Sequence, residues 1–190
     1  MSGEELHGLA PVVGRETRLV VLGSFPSVAS LRAQQYYAHP RNQFWPLLSA
    51  IWGVDLVAMP YRARLAEVKR RGLGIWDVYA RCRREGSLDS AIEDSVPNDL
   101  ASLKRRAPKL EAVAHNGGES ARAVGVTRAL GVVVIRLPST SPANASWSFE
   151  RKLAAWRVPG DRFVVLRDND AAACQDVKAR LVKLCADSGR

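Results

Sequence analysis

Four short runs of consecutive apolar residues recur along the chain, and each is followed by turn-forming residues and a helix-like segment. They are LVVLGSFPS (19–27), LGIWDV (73–78), LEAVAHNGG (110–118) and VVVIRLPSTSP (132–142). Continuous rather than alternating apolar residues are typical of strands that are covered on both faces. The pattern therefore predicts four buried parallel strands, and a later run, RFVVL (162–166), predicts a fifth strand.

Apolar residues spaced three or four positions apart predict core-facing helices. The stripes are Phe44, Leu47, Leu48, Ile51 and Trp52; then Phe149, Leu153 and Trp156; then Val177, Leu181, Leu184 and Cys185. Helices that connect parallel strands cross over the sheet and cover it. The predicted fold class is therefore α/β, a three-layer α/β/α sandwich with a central, mainly parallel four-stranded sheet.

This fold also predicts where a ligand binds. In open α/β sheets the binding crevice lies beyond the carboxyl ends of the strands. In this chain those ends carry the sequences GSFPS, WDV, HNGG and LPSTSP. We therefore expect the functional residues to come from these four segments and from the loops beside them.

Length and composition are those of a single soluble domain. The 190 residues are 47% apolar and 25% charged, enough to bury a core without disulfides or a metal. No run approaches the roughly 20 apolar residues that span a bilayer. Residues 1–14 carry acidic side chains where an export signal would carry basic ones. We expect a cytoplasmic monomer with no membrane association.

Cysteine usage argues against a metal centre. Cys82, Cys174 and Cys185 show no CxxC spacing and are too few for a four-thiolate cluster. We expect free thiols, with no metal and no iron–sulfur cluster.

The chain is strongly basic. Lys and Arg total 28 against 19 Asp and Glu, which gives a net charge of +9, with clusters at 69–71, 81–84 and 104–109. A basic surface attracts polyanions, nucleic acid first. A solvated basic surface without a function accounts for the same charge, so charge alone does not decide between the two interpretations.

The segment QQYYAHPRNQFW (34–45) crowds aromatic rings, an amide and a cation between two apolar segments. Tyr36, Tyr37 and His39 precede a turn broken by proline, and the following helix cannot bury all three. Aromatic faces beside a basic surface suit stacking on an unstacked base. His39 and His115 are candidate general bases, but neither has a carboxylate partner nearby in sequence, and a structural role is the alternative.

The strand ends carry further polar candidates, each with a simpler alternative. GSFPS (23–27) allows close backbone approach, but it also fits an ordinary turn capped by Ser27 or Ser30. LPSTSP (137–142) offers three hydroxyls that can donate to phosphate oxygens, or it is a solvated loop. Asp77 is a carboxylate in the expected cleft, or it caps a helix or pairs with Arg81.

Together, GSFPS, YYAHPRNQFW and LPSTSPANASWSFE resemble, in their order and spacing, the motifs of the uracil-DNA glycosylase superfamily. The closest resemblance is to its hypoxanthine-DNA (deoxyinosine) glycosylase branch, and the mismatch-specific uracil/thymine branch is a near relative. The resemblance implies one domain over 1–190, with a core at about 15–157 and a C-terminal strand/helix extension at 158–190. It also implies flipping of a damaged base out of DNA and hydrolysis of its N-glycosidic bond without a cofactor, leaving an abasic site.

The resemblance assigns roles to individual residues. Asn42 is the implied catalytic residue, which orients the attacking water, and Tyr37 is the ring on which the base stacks. The implied base-binding set is Gly23, Ser24, Phe25, Tyr37, Asp77 and Asn116, with Asp77 or Asn116 reading the base edge. The implied DNA-binding set is Ser27, His39, Arg41, Ser139, Thr140, Ser141, Pro142, Ala143 and Asn144. The loop 139–145 matches the second motif of the superfamily, and the resemblance implies that it grips phosphate and fills the gap left by the base.

Two positions depart from the branches most active on uracil. Those branches have a carboxylate or an amide where this chain has Phe25, and some open the second motif with histidine or asparagine where this chain has Ser139. Because a phenyl ring cannot activate water, the catalytic load moves to Asn42. Several branches also place an asparagine at about the position of Asp77.

We therefore expect a monofunctional DNA glycosylase that acts on DNA with deaminated bases, with hypoxanthine favoured over uracil. A uracil or G:U/G:T mismatch-specific glycosylase is the alternative within the same class. A non-catalytic nucleic-acid-binding module on the same fold is the alternative from another class. A nucleotide or phosphate-ester enzyme is disfavoured, because the chain has no Gly-rich phosphate loop of the expected form.

Overall fold

The structure, a computed structural model, describes residues 5–164. The chain begins with strands and helices in this order: β1 (Glu5–His7), β2 (Leu19–Gly23), α1 (Val28–Ala33), α2 (Phe44–Trp52) and α3 (Tyr61–Arg70). It continues with β3 (Leu73–Asp77), β4 (Tyr79–Arg83), β5 (Glu93–Pro97), α4 (Leu103–Arg106), β6 (Ala112–Asn116), α5 (Val124–Arg128), β7 (Val133–Leu137) and α6 (Phe149–Val164). Short 3₁₀ turns lie at Asp89–Ala91, Leu100–Ser102 and Ser120–Ala123.

The central sheet is parallel, with strand order β3-β2-β6-β7. These are the four strands that the apolar runs predict, and the predicted fold class is confirmed. Every residue of β2, β3 and β6 is buried, whereas the edge strand β7 is partly exposed. Because all four strands run the same way, their carboxyl ends meet at one edge of the sheet.

Each face of this sheet carries its own apolar cluster. On one face, helices α2, α3 and α6 bury Phe44, Leu47, Val68 and Trp156, among others. On the other face, residues 100–110 pack against β2 and β6. The predicted stripes on α2 and α6 therefore face the core. Burial of each such large side chain contributes roughly 1.5 to 3 kcal/mol.

A second, antiparallel sheet has the order β1-β4-β5, and the apolar pattern does not predict it. Its strands are short and polar, and Cys82 is a buried apolar position on β4. Backbone pairing rather than side-chain burial therefore holds this sheet together. Only Val78 separates β4 from β3, so the chain passes from the carboxyl edge of the central sheet directly into the second sheet.

The predicted fifth strand at 162–166 is wrong where the structure describes it. Residues 162–164 form the last turn of α6, because the helix that begins at Phe149 continues through them and overrides the local β propensity of the run. The predicted strand/helix extension at 158–190 therefore begins as helix. Residues 165–166 and the stripe from Val177 to Cys185 lie outside the described residues.

Within residues 5–164, no helix has the length and apolar character that a bilayer crossing requires.

Candidate active site

The carboxyl ends of β2, β3 and β6 and the loop after β7 surround a cleft of about 400 Å³. This volume is within the range of roughly 300 to 1,000 Å³ that is usual for small-molecule sites. Most of the predicted site residues line the cleft, namely Gly23, Ser24, Phe25, Ser27, Tyr37, Asn42, Asp77, Asn116, Ser139, Thr140, Ser141, Ala143 and Asn144. The predicted DNA contacts His39, Arg41 and Pro142 do not line it.

The first motif, residues 23–27, forms the turn that leads from β2 into α1. The amide of Ser30 donates to Ser27 Oγ at 3.2 Å, so Ser27 is the helix N-cap. The alternative of an ordinary capped turn therefore describes the local structure, and the same turn lines the cleft. Phe25 is buried beneath the guanidinium of Arg84, whose Cζ lies 5.1 Å from the ring centre.

Asp77 ends β3 and is 4% exposed. The simpler alternatives for it are wrong, because it caps no helix and because Arg81 pairs with Glu5 at 2.7 Å. Among the residues that the structure describes, neither carboxyl oxygen receives a hydrogen bond, and Oδ2 is sealed from solvent. Burial, and next the charge of Asp89, raise the Asp77 pKa to about 7, while Arg84 opposes this shift.

Tyr37 presents an aromatic ring to the cleft. Its ring stacks on Phe44 with centroids 3.9 Å apart and planes inclined by 20°. The residue has a φ of +56°, a left-handed conformation that costs a non-glycine residue on the order of 1 kcal/mol and persists only when its surroundings impose it. Burial raises the pKa of its hydroxyl above the ordinary value, so the phenol stays neutral.

Asn116 connects the ring to the second motif. Its Oδ1 accepts from the Thr140 amide at 2.9 Å, and its Nδ2 donates to Thr140 Oγ1 at 3.0 Å and to the Tyr37 hydroxyl at 3.3 Å. Because a backbone amide only donates, the oxygen of the side chain must face Thr140. The amide predicted to read a base edge is thus largely engaged in holding Thr140, which is fully buried.

Asn42 lies just before α2. Its Oδ1 accepts from the amide of Phe44, the first residue of the helix, at 2.9 Å, which satisfies one of the free donors of the helix end. Within residues 5–164 its Nδ2 has no acceptor. The side chain therefore keeps two N–H donors and a second oxygen lone pair for a molecule in the cleft.

The second motif, residues 139–145, is a loop held by hydrogen bonds at several points. Ser139 Oγ and Ser141 Oγ each accept a backbone N–H at 3.2 Å, and each hydroxyl retains its own hydrogen. Gly117 allows the loop to come close: its φ is +103°, and a Cβ there would lie 2.9 Å from Ser139 Cβ. The start of the loop is fixed by the Trp156 indole, which donates to the carbonyl of Pro138.

Lys152 is an almost fully buried cation beside this loop. Its ammonium donates to Gln43 Oε1 at 2.8 Å and to the carbonyl of Asn144 at 3.0 Å. In the described part of the chain it has no carboxylate partner, and burial lowers its pKa. Lys152 therefore ties α6 both to the second motif and to the residue that follows Asn42.

The two histidines that sequence suggested as general bases do not enter the cleft. His115 is fully buried, and its Nδ1 and Nε2 lie 3.0 and 2.9 Å from the hydroxyls of Ser120 and Thr127. Ser120 donates to the carbonyl of Leu22, so Nδ1 carries the proton and donates to Ser120. Nε2 of the neutral ring then accepts from the Thr127 hydroxyl at 2.9 Å, a shorter contact than those of 3.2 and 3.4 Å from this hydroxyl to the carbonyls of Val124 and Ala123. Burial lowers the His115 pKa to about 4, and the imidazole is neutral and structural. His39 Nδ1 accepts from the backbone amide of Arg41.

Four lining residues lie in a segment that the sequence did not point to: Ser87, Leu88, Asp89 and Ser90. Pro26, Ser30 and Tyr36 also line the cleft, in or beside the predicted motifs but outside the predicted site sets. Residues 87–90 lie between β4 and β5, and the unpredicted second sheet carries them over the first motif. There the Ser24 hydroxyl donates to Asp89 Oδ1 at 2.6 Å. No local pattern distinguishes this segment in the sequence.

The charge of the cleft is opposite in sign to that of the whole chain. Among the described residues that line it, the ionisable acids are Asp77 and Asp89, and no lysine or arginine takes part. Within the described range, no group of three or more His, Cys, Asp or Glu side chains is arranged to hold a metal ion. The site is thus suited to a neutral planar ligand or to a cationic centre, with anions held at the rim.

Comparison with known proteins identifies relatives over most of the chain. The model of the Uracil DNA glycosylase superfamily matches residues 10–158. A hypoxanthine DNA glycosylase of Methanosarcina barkeri is 40% identical over 150 residues, which cover 79% of this chain and 94% of the relative. A protein of the same name from Methanosarcina acetivorans is 39% identical over 146 residues, covering 77% and 92%.

A solved structure shows the same fold. The solution NMR structure of a candidate uracil DNA glycosylase from Methanosarcina acetivorans aligns with a TM-score of 0.73 and 36% identity, covering 81% of this chain and 98% of that protein.

Proposed function

This chain belongs to the uracil DNA glycosylase superfamily, and we propose that it releases hypoxanthine from DNA by hydrolysing the N-glycosidic bond of deoxyinosine. It is a DNA glycosylase, a hydrolase that acts on N-glycosyl bonds. The preference for hypoxanthine rests on two relatives of that name and on Phe25, a ring that cannot activate water where uracil enzymes have a polar group.

The proposal rests on one cleft that both Asn42 and Tyr37 line. A flipped base in the cleft stacks on Tyr37 and extends the stack that this ring forms with Phe44. Flipping costs a few kcal/mol, least for a mispaired base, and stacking returns roughly 1 to 3 kcal/mol. Because deaminated bases pair poorly, this balance favours their capture.

Asn42 positions the attacking water. Bond cleavage passes through an oxocarbenium-like sugar, and water must approach that carbon from a defined direction. An amide is a poor base but a good positioner, and the bond from Phe44 to its Oδ1 holds the side chain in one orientation. The carboxylate of Asp89 on the wall of the cleft stabilises the positive charge that develops on the sugar.

The DNA backbone is held at the rim of the cleft. The hydroxyls of Ser139 and Ser141 have hydrogens available for phosphate oxygens, and Arg41 lies exposed next to Asn42. The remainder of the +9 charge supplies attraction that is independent of sequence. The protein acts on DNA inside the cell as a monomer.

A panel of oligonucleotides, each with a single inosine, uracil, xanthine or mispaired thymine, tests the proposal by alkali-labile strand scission. Scission at inosine with little at uracil supports it, whereas preferred scission at uracil or at mispaired thymine identifies the alternative glycosylase. A wild-type protein that binds the panel and releases no base is a binding module.

The same panel tests Asn42. Asn42→Ala is expected to lower the single-turnover rate about 100-fold or more while DNA affinity changes little, because the side chain acts on the water rather than on the DNA. Gln34→Ala, which removes an amide that binds the carbonyl of Leu31, is the matched control. A wild-type rate for Asn42→Ala removes Asn42 from the mechanism.

A further inference from the structure

The cleft contains one buried carboxyl group that the proposed mechanism does not use. Asp77 lines the cleft, is 4% exposed, and packs its Oδ1 against the α-carbon of Gly23. Asn42, Asn116 and Thr140 are all fixed by hydrogen bonds, whereas the Asp77 carboxyl receives none from residues 5–164. A buried carboxyl without partners destabilises the fold, and such a group calls for a functional explanation.

We propose that the Asp77 carboxyl is the general acid that donates its proton to a ring nitrogen of the departing purine, an inference that rests on the proposed glycosylase function. Hypoxanthine is a poor leaving group as an anion and a better one when N3 or N7 takes up a proton. An ionised acid would instead repel the electron pair that the base receives. The role therefore needs a neutral carboxyl in the cleft.

The surroundings of Asp77 favour the neutral form. Asp89 faces it from the turn after β4, and the phenols of Tyr36 and Tyr37 face it from the segment between α1 and α2. Arg84 is the one cation nearby among the described residues. Its guanidinium donates to the carbonyl of Pro26 and covers Phe25, and it forms no ion pair with Asp77. The resulting Asp77 pKa of about 7 leaves much of the acid protonated at neutral pH.

The step balances. The bond between C1′ and the purine N9 breaks, and its electron pair moves onto the base. The proton of Asp77 moves to the ring nitrogen, so hypoxanthine leaves as a neutral molecule and Asp77 becomes a carboxylate. The water held by Asn42 adds its oxygen to C1′ and loses a proton, which restores the acid directly or through solvent.

Single-turnover kinetics on duplexes with inosine, 7-deaza-inosine or 3-deaza-inosine test this role. For the wild type on inosine, the rate should fall about tenfold per pH unit above a pKa near 7. Asparagine has nearly the same shape as aspartic acid but cannot donate this proton. Asp77→Asn should therefore lower the single-turnover rate on inosine about 100-fold and abolish this pH dependence. One of the two analogues lacks the nitrogen that accepts the proton from Asp77. On that analogue the wild-type rate should be low, and Asp77→Asn should not lower the rate further.

The exposed Asp94→Asn is the matched control. An Asp77→Asn protein as fast as the wild type, or one equally impaired on inosine and on both analogues, overturns the role. The wild-type rates on inosine and on the two analogues can be compared without any variant, so this arm of the test does not depend on the folding of Asp77→Asn. A wild type that releases no hypoxanthine from inosine overturns the proposed function instead.

An exposed leucine lies at the mouth of the cleft. Leu88 is 58% exposed, and of the large apolar side chains that are exposed within residues 5–164 it is the one that lines the cleft. Its neighbours are anchored: Ser87 Oγ accepts from the Val28 amide at 3.0 Å, and Asp89 accepts from Ser24. The second motif, residues 139–145, offers no apolar side chain larger than proline that could fill the gap left by a flipped base.

From this arrangement we infer that Leu88 inserts into the base stack and fills the gap left by the flipped nucleotide. Apolar side chains serve as such wedges when a duplex is opened. An inserted side chain affects base release only where neighbouring bases are stacked in a duplex. Its effect should therefore depend on whether the DNA is double-stranded.

Leu88→Ala should lower the single-turnover rate about tenfold or more on duplex inosine and leave the rate on single-stranded inosine unchanged. Val57→Ala, an exposed apolar truncation away from the cleft, is the control. Equal losses on both substrates, or no loss on duplex, overturn the inference. A wild type that releases hypoxanthine from neither duplex nor single-stranded DNA counts against the proposed function.

Discussion

Gly23 and Asp77 end neighbouring parallel strands in register, and a methyl group on Gly23 would overlap with the Asp77 carboxyl. The absence of a side chain at Gly23 is therefore what makes room for the acid in the cleft. This is a different reason for glycine from the need for an unusual φ, because the backbone of Gly23 is not left-handed.

Gly23→Ala is expected to lower the free energy of unfolding by about 1 to 3 kcal/mol and to displace the carboxyl, with loss of activity. In an Asp77→Ala background the same change should cost less stability, because the overlap is gone. Urea unfolding of the four proteins measures the coupling. Gly14→Ala, at a position with free space, is the control. If Gly23→Ala costs the same stability with and without Asp77→Ala, the contact between position 23 and the Asp77 carboxyl is contradicted.

Tyr37 variants separate the ring from its hydroxyl. Tyr37→Phe keeps the stack on Phe44 and loses only the 3.3 Å bond from Asn116, so we expect a change in excision rate of less than about tenfold. Tyr37→Ala removes the stacking surface and should weaken capture of the flipped base by roughly 1 to 3 kcal/mol. Fluorescence of a base analogue beside the lesion reports capture, and normal capture by Tyr37→Ala would exclude the ring from the site.

The pKa of Asp77 predicts how stability depends on pH. In the folded state this pKa is about 7 against an ordinary 3.8, so the folded protein holds more protons than the unfolded chain between these values. The contribution of Asp77 to stability is therefore greatest below pH 4 and declines as the pH rises to about 7. Asp77→Asn should be more stable than the wild type at pH 7 by on the order of 1 to 4 kcal/mol, with the gap closing towards pH 4.

His115 makes the stability of the fold depend on pH in the opposite direction. Its pKa is about 4 against an ordinary 6.5, so the unfolded chain holds more protons between these values and stability is lost as the pH falls through this window. In the wild type the two groups should largely offset each other. Denaturant unfolding measures the free energy of unfolding across about pH 4 to 7. It should rise with pH in Asp77→Asn and fall with pH in His115→Asn. The same pH dependence in the wild type and both variants would refute the two pKa shifts.

Lys152→Met tests the buried cation beside the second motif. It removes the donors to Gln43 and to the carbonyl of Asn144, so we expect a stability loss of about 1 to 3 kcal/mol and slower excision. Hydrogen exchange should show weaker protection of the amides of Ser141 and Ala143. The exposed Lys69→Met is the control, and unchanged exchange in this loop would argue against the positioning role of Lys152.

The apolar pattern of the chain was sufficient for the central sheet and its covering helices. Burial on both faces leaves continuous runs such as 19–23 and 112–116, and one-sided burial leaves the stripe of α2. The same pattern placed Asp77, Asn116 and the two motifs at one edge, because parallel strands bring their carboxyl ends together. It misassigned 162–164, where a short run of β-favouring residues is part of a long helix.

The second sheet and the state of the site residues depend on tertiary contacts. Strands β4 and β5 pair through backbone groups that every residue type has, so they leave no side-chain signature, yet they bring residues 87–90 to the cleft. The engagement of Asn116 by Thr140 is a contact between segments far apart in the chain, and within residues 5–164 the folded chain brings no hydrogen-bond donor to the Asp77 carboxyl. A residue's type states which bonds it can form, and only the packed neighbours decide which of those bonds are formed and which group is left to react.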